Sequence, residues 1–331
     1  VMIENLIAWI LRAVSFGTII MYGCMGETIT EKSGNLNLGV PGIMYLGGFA
    51  GFAGAYYYEE LTAKPNAVLC ILIAVACGFL AAAFGGLIFS FLTITLRANQ
   101  NVTGLALTTF GMGVANFFGV MILNGGTAVK ADFANTVFTA KIPYLSSLGI
   151  LGQTVFSYGF LVYAAILLAV ILRFVLTRTR VGLNLRAVGE NPATADAAGI
   201  SVIKYKYLAT CLGAGISGLG GLYYVLDFNS GIWATSGEIE ALGWLAVALV
   251  IFTVWRPVNA IWGAYLFGTL YWLYQYLPNI LGFKITNYMT DLVRMVPYIV
   301  TIVVLIVTSF RKKRESQPPQ SLGLAYFREE R

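Results

Sequence analysis

Apolar runs separated by short polar breaks fill almost the whole chain, and their spacing predicts nine membrane-crossing helices. The runs cover residues 6–26, 38–58, 67–96, 102–123, 155–176, 205–226, 242–255, 258–277 and 295–310. Most come close to the roughly 20 residues a helix needs to cross the hydrocarbon layer. The seventh and ninth reach that length only with their charged flanks included. The longest break is the loop 124–153, which carries Lys130, Asp132 and Lys141. Small residues recur four apart inside the runs, as at Gly47 and Gly51, Ala81 and Gly85, Gly111, Ala115 and Gly119, and Gly213, Ser217 and Gly221. That spacing lets helix backbones approach closely. No internal repeat stands out. The expected organisation is one transmembrane domain over 1–310 and a flexible cytoplasmic tail over 311–331.

Composition turns the pattern into a class. The 331 residues are 58% hydrophobic and only 11% charged, against about 25% charged in soluble domains. An all-α polytopic membrane protein follows. The first run is too long for a cleavable leader and lacks a basic flank, so no signal peptide is expected. Histidine is absent, which removes His metal sites, His proton relays and every nucleophile–His–acid triad. Cys24, Cys70, Cys77 and Cys211 all fall in apolar runs and read as small buried hydrophobes rather than disulfides or metal ligands. No metal site and no catalytic residue is expected. Trp9, Trp233, Trp255 and Trp272 fall near run ends, where interfacial tryptophans sit.

The most informative stretch is the long polar-and-small interruption VGENPATADAAGI, from Val188 to Ile200. It encodes a short helix with both ends marked. Asn191 is placed to cap it, Pro192 to occupy its first position, and Gly199 to leave it in a left-handed conformation. Two turns are too short to span a bilayer and too small to bury a core. A capped mini-helix between two spans is a piece offered to another protein. If it faces the cytoplasm, nine alternating spans put the N-terminus outside and the C-terminus inside. Of the 21 Lys and Arg, 15 then lie inside, five outside (Lys64, Lys130, Lys141, Lys284 and Arg294), and Arg12 within the first span. The positive-inside rule requires that asymmetry.

The pattern V-G-x-N-P-x-x-A-x-x-A-G-I over these residues resembles the coupling-helix motif of ABC-importer permeases in the branched-chain amino acid, ribose and nucleoside group. GENPATADAAGI resembles in particular one of the two permeases of nucleoside importers that use a lipoprotein receptor of the basic membrane protein type. Two more blocks carry the likeness: S-G-x-x-N-L-G-x-x-G from Ser33 to Gly42, and ALGWLAVALVIFTVWRPVNAIWGAYLFG from Ala241 to Gly268. The resemblance implies the vitamin-B12-permease-like (type II) importer fold in a bacterial cytoplasmic membrane. It further implies a second, different permease chain, two cytoplasmic ATPases and an extracytoplasmic substrate-binding lipoprotein. ATP and Mg would be bound by the ATPases, and none by this chain. The implied cargo is a nucleoside, with a sugar or a branched-chain amino acid as the alternative. By the same resemblance Gly189, Glu190, Asn191, Pro192, Ala195, Asp196, Ala198 and Gly199 would form the ATPase-coupling surface.

Other motifs sharpen or exclude. GAGISG, from Gly213 to Gly218, matches a dinucleotide fingerprint in letters only, because it lies within an apolar run and has no βαβ setting. The chain contains no Gly-Lys pair, so it has no P-loop, and any ATP must be hydrolysed elsewhere. An ion- or proton-coupled carrier fits poorly with no histidine and few acids inside runs. The break at Ser33, Asn35, Asn37 and Gly39 interrupts the apolar pattern at the mouth of the second run. Irregular backbone at membrane depth survives only inside protein or along a wet cavity, and such breaks often form substrate sites in transporters. These four residues are candidates for the substrate path, with a solvated turn as the competing reading. For Glu27, Glu31 and Lys32 the solvated turn is the preferred reading. Asp227, Glu238 and Glu240 read as solvated helix ends, with contact to a receptor or the substrate's entrance as the competing reading, and Asp291 and Arg294 as a pair three residues apart. The cluster 311–314, RKKR, either meets anionic lipid or merely fixes topology, and the second role suffices. Nothing in the charge distribution points to nucleic acid.

Overall fold

A computed structural model describes residues 2–123, 126–143, 149–234, 237–281, 287–310 and 317–327; the RKKR cluster lies outside them. The helices in chain order are α1 (Met2–Lys32), α2 (Val40–Leu61), α3 (Ala67–Ser90), α4 (Gln100–Leu123), α5 (Asp132–Phe138), α6 (Gly149–Val155) and α7 (Phe160–Arg178). They continue as α8 (Arg180–Glu190), α9 (Pro192–Ala197), α10 (Val202–Tyr223), α11 (Glu238–Phe252), α12 (Pro257–Tyr271), α13 (Leu273–Leu281) and α14 (Asn287–Phe310). Two spans end in π-helical turns that the sequence pattern does not announce. Leu96 N–H bonds back five residues to Phe91 O at 3.0 Å after α3, and Asn229 N–H to Tyr224 O at 2.8 Å after α10.

The fold is not purely helical. Strand β1 (Ala128–Lys130) pairs antiparallel with β2 (Ile232–Ala234), with Val129 opposite Trp233. Trp233 is no interfacial anchor: it is 1% exposed, stacked on Phe52 and edge-on to Phe49. Burial of its indole draws the two long loops together. The Glu59 carboxylate then caps α5, accepting from Phe133 N–H at 2.9 Å and Ala134 N–H at 3.3 Å, which suits the positive end of a helix.

Helix α10 forms the centre, packed against α1, α2 and α3, while α1 also packs on α11 and α12. The approach is backbone on backbone. A Cβ on Gly221 would stand 1.9 Å from Met44 O, and one on Gly47 would stand 2.4 Å from the Cα of Gly218. The glycines of the GAGISG stretch are thus contact points between spans. All four cysteines are free, with Cys24 and Cys70 buried.

Five helical segments among the described residues are long and apolar enough to cross a membrane: Ile3–Lys32, Ala67–Thr95, Gln100–Leu123, Phe160–Arg178 and Val202–Phe228. Of the remaining expected spans, α11 and α12 have 15 residues each, about 22 Å of helix, while α2 is rich in glycine and tyrosine. Helix α14 carries Asp291, Arg294 and Pro297. Asp291 and Arg294 pair at 3.5 Å on an exposed face, not toward the bundle. Arg12 resolves its cost near the start of α1 by lying over the rings of Phe228 at 4.3 Å and Trp272 at 5.0 Å.

Helix ends sort onto two faces. One gathers the end of α1, the turn 97–99, α8 and α9, the turn at Trp255 and the segment 317–327. The other gathers Glu59, α5, the ribbon, and the turn at Gly159 beside Asp227. The sorting predicts where bulk is forbidden. Gly221→Val should lower stability by about 1–3 kcal/mol through overpacking, read as an earlier unfolding transition in detergent; Gly113→Val, with open space around the glycine, should leave it within about 0.5 kcal/mol.

Candidate functional site

The mini-helix forms with the ends its sequence marks. Asn191 closes α8 by donating its N–H to Ala187 O at 3.0 Å and opens α9 by accepting from Thr194 N–H at 3.0 Å. Pro192 takes the first position. Gly199, at φ +82, reverses the chain, and Gly199 and Ile200 N–H bond back to Asp196 O and Ala195 O at 3.0 Å each. Ala195 is the buried pin, 3% exposed between Val188 and Val202. Glu190, Asn191, Thr194, Ala197, Ala198 and Gly199 are exposed. The result is a small rigid knob with a polar and small-residue tip.

Gly189 sets where the knob stands. A Cβ there would meet Lys32 O at 2.2 Å, so α8 lies directly on the last turn of α1. Its carbonyl accepts both the N–H and the hydroxyl of Ser321, at 3.0 and 2.6 Å. Gly323 N–H bonds Gly34 O at 3.1 Å, and Tyr326 donates its hydroxyl to Asp196 at 2.9 Å. Of the expected flexible tail 311–331, residues 317–327 are packed on the fold, and the rest lies outside the described residues. Residues 317–327 are seated on the coupling segment and the break, because Leu322 and Tyr326 pack on apolar clusters and the backbone finds carbonyls to bond.

The break between α1 and α2 is buried and held by many hydrogen bonds. Ser33 and Asn35 are 0% exposed and Asn37 is 1%. Leu36 N–H bonds Gln100 Oε1 at 2.7 Å, Asn37 N–H bonds Glu27 Oε1 at 2.9 Å, and Gly39 N–H bonds Asn37 Oδ1 at 2.9 Å. Asn35 donates to the Thr210 hydroxyl of α10 at 2.9 Å. Trp255 Nε1, in the turn after α11, donates to Glu31. The solvated-turn reading of Glu27 and Glu31 therefore does not hold: α1 runs on to Lys32, and both carboxylates are inside the protein at 1% and 2% exposure. Of the four candidates for a substrate path, Asn35 borders a cavity of about 470 Å³. Ser33 and Asn37 spend their polar groups on the chain's own backbone.

Sequence reasoning missed Thr210 and Gln100 as partners of the break, Trp255 as the partner of Glu31 and Ser321 as the partner of Gly189. A signal for the carboxylates was there: Glu27 and Glu31 are four apart, on one helix face with Cys24. For the tail the signal was LGLAYF, an apolar stretch beyond Pro318-Pro319. Asp227 is not a solvated end either, since its Oδ2 is buried beside Gly159 without a hydrogen-bond partner among the described residues. Glu238 accepts from the Tyr224 hydroxyl.

Comparison with known proteins fits this arrangement. A family model described as branched-chain amino acid transport system / permease component matches residues 9–305. The chain is similar to the putative glucose ABC transporter permease protein TsgC13 of Haloferax volcanii, 36% identical over 257 residues, 78% of this chain and 74% of that one. It is 31% identical over 321 residues to the guanosine ABC transporter permease protein NupQ of Bacillus subtilis, covering 93% and 92% of the two chains. With the nucleoside ABC transporter permease protein NupC of Lactococcus lactis it shares 29% identity over 294 residues, 88% of each chain. No solved structure matches.

The contact at Gly189 yields a direct test. Gly189→Val places side-chain atoms against a backbone carbonyl that has no room to retreat, which costs about 1–3 kcal/mol. Limited proteolysis should then cut the tail near Ser321 faster than in the parent, while the main unfolding transition stays cooperative. Unchanged tail protection would show that the seat does not depend on this contact.

Proposed function

The chain belongs to the branched-chain amino acid transport system / permease component family, and from that premise we propose that it is the membrane subunit of an ATP-driven nucleoside importer. Two lines support the cargo: likeness to a guanosine permease over nearly the full length of both chains, and likeness to a nucleoside permease. A sugar is the second reading, favoured by the permease named for glucose. A proton-coupled carrier is set aside on family membership, although α1 holds two buried acids where few were expected.

The observation that carries the coupling role is the exposed, doubly capped knob seated by Gly189 on the end of α1. In our reading one such knob from each of two permeases enters a groove of an ATPase. ATP-driven approach of the ATPases moves the knob, and the contacts at Gly189 and Ser321 carry that motion to the break and to α10. Glu190, Asn191, Pro192, Asp196, Ala198 and Gly199 supply the contact surface, while Gly189 and Ala195 fix it to the fold. The partner permease is a different chain and a lipoprotein receptor delivers the cargo, as the resemblance implies. Nine spans in a type II arrangement, with the N-terminus outside, remain part of this proposal. The chain's own task is to offer and withdraw a path, and the phosphate chemistry belongs to the ATPases.

Three outcomes are expected. In a strain lacking this chain, uptake of radiolabelled guanosine falls to background while glucose uptake persists; the reverse pattern would transfer the assignment to a sugar. A cysteine at exposed Ala198 reacts with an impermeant label only once the cytoplasmic side is opened, and labelling of intact cells would invert the topology. Gly199→Val, which forces a β-branched residue to φ +82 at a cost of about 1–2 kcal/mol, lowers ATP-driven uptake severalfold without loss of membrane protein. Gly199→Asn, which tolerates that backbone, restores most of it.

A further inference from the structure

On the face that carries the knob, a cavity of about 470 Å³ opens between the π-helical turn of α3, the start of α10, the end of the coupling segment and the tail. Its wall holds Asn35, Arg97, Gln100, Asp196, Lys206 and the tail residues around Tyr326. Lys206 is only 2% exposed, yet it has no acidic partner among the described residues. A buried ammonium without a counter-charge is costly unless something supplies one. The start of α10 borders the same space through Ser201, Val202 and Ile203. Ser201 makes no side-chain cap, so the free N–H groups of the first turn keep their appetite for an anion.

The opposite chemistry is also present. Asn35 Oδ1 is buried and has no hydrogen-bond partner among the described residues, its amide nitrogen being committed to Thr210. Asp196 borders the cavity as well, sharing one oxygen with Tyr326. A bare anion would answer Lys206 and Arg97 but leave the Asn35 Oδ1 acceptor wanting a donor. A ligand with both an anionic group and a neighbouring hydroxyl answers all of them. We propose that this cavity is a binding site for a phosphate ester bearing hydroxyl donors. The phosphate lies toward Lys206 and the start of α10, and the hydroxyls toward Asn35 and Asp196. Two sources share that chemistry: a phosphatidylglycerol headgroup from the adjoining membrane, and a soluble mononucleotide. Because Gly199–Val202 and 324–326 both line the cavity, occupancy ties the tail to the coupling segment. The site stands apart from the cargo assignment, since it asks for a charge that a nucleoside lacks.

The full chain, purified into nanodiscs of phosphatidylcholine alone, is titrated with adenosine 5′-monophosphate, inorganic phosphate and adenosine, and compared with nanodiscs containing phosphatidylglycerol. Thermal unfolding and protease protection at the tail are read together. We expect a rise in both with the mononucleotide, or with phosphatidylglycerol in its place, each naming its source. Lys206→Met should fold at least as well as the parent, because it removes an uncompensated charge, yet bind at least about tenfold more weakly, the loss of one charge-assisted contact. Lys206→Arg should retain binding. No stabilisation by any phosphate ester, undiminished binding by Lys206→Met, or an equal effect of adenosine would each overturn the proposal. The last would make the cavity a station for uncharged cargo and leave the import reading intact.

Discussion

Where Gly189 lies on the last turn of α1, three stretches of chain share one set of backbone groups. Lys32 O faces the Gly189 Cα with no space for a side chain, Gly189 O accepts twice from Ser321, and Gly34 O accepts from Gly323. Apart from the Ser321 hydroxyl, each contact joins main chain to main chain, so a rotamer change can loosen only that one. The coupling segment, the break and the tail therefore form one body at this point. Everything proposed about energy transfer requires that body: a knob on a floppy loop would move without moving the spans.

The break itself presents a problem that side chains solve. Interrupting a helix inside a protein strands N–H and C=O groups, and each one left unpaired costs on the order of a few kcal/mol. Here Ser33 and Gly34 N–H turn back on Thr30 and Glu31 carbonyls, while Leu36, Asn37 and Gly39 N–H find Gln100, Glu27 and Asn37 side chains. Leu38 O accepts from the Thr108 hydroxyl at 3.0 Å. Buried carboxylates and carboxamides are expensive in a membrane protein. They are retained here because an irregular backbone needs acceptors that an apolar core cannot give. Their partners come from α1, α4 and the break itself, so the break is held from several directions at once.

This division explains what could be read from the sequence. The apolar runs announced α1, α3, α4, α7 and α10 because a span's composition is local. Asn191-Pro192 and Gly199 announced α9 because capping is settled within a turn. Glu27 and Glu31 misled because a charge reads as solvated until its partner is known, and Trp255 stands 224 residues from Glu31. Ser321 was hidden for the same reason, 132 residues from Gly189. Trp233 sat near a run end like an interfacial anchor, and only the pairing of two distant loops buries it. Local rules placed the parts; the joints are long-range and were not legible.

The joints also differ in strength, which bears on how motion would travel. Among the described residues, helix α9 is held to the fold through side chains, by the packing of Ala195 on Val188 and Val202 and by the Tyr326 hydroxyl on Asp196. Helix α8 is held by backbone contact at Gly189 and two hydrogen bonds from Ser321 to one carbonyl, and it abuts α7 through Gly182, where a Cβ would stand 2.1 Å from Val175 O. A push on the knob thus meets a light attachment first and a stiff one behind it. The light attachment lets the tip adapt to a groove, and the stiff one obliges α1, α7 and α8 to move together. Under the proposed coupling role, that order of stiffness favours rigid displacement and makes the mounting of the knob, rather than its tip, the part that decides whether force reaches the spans.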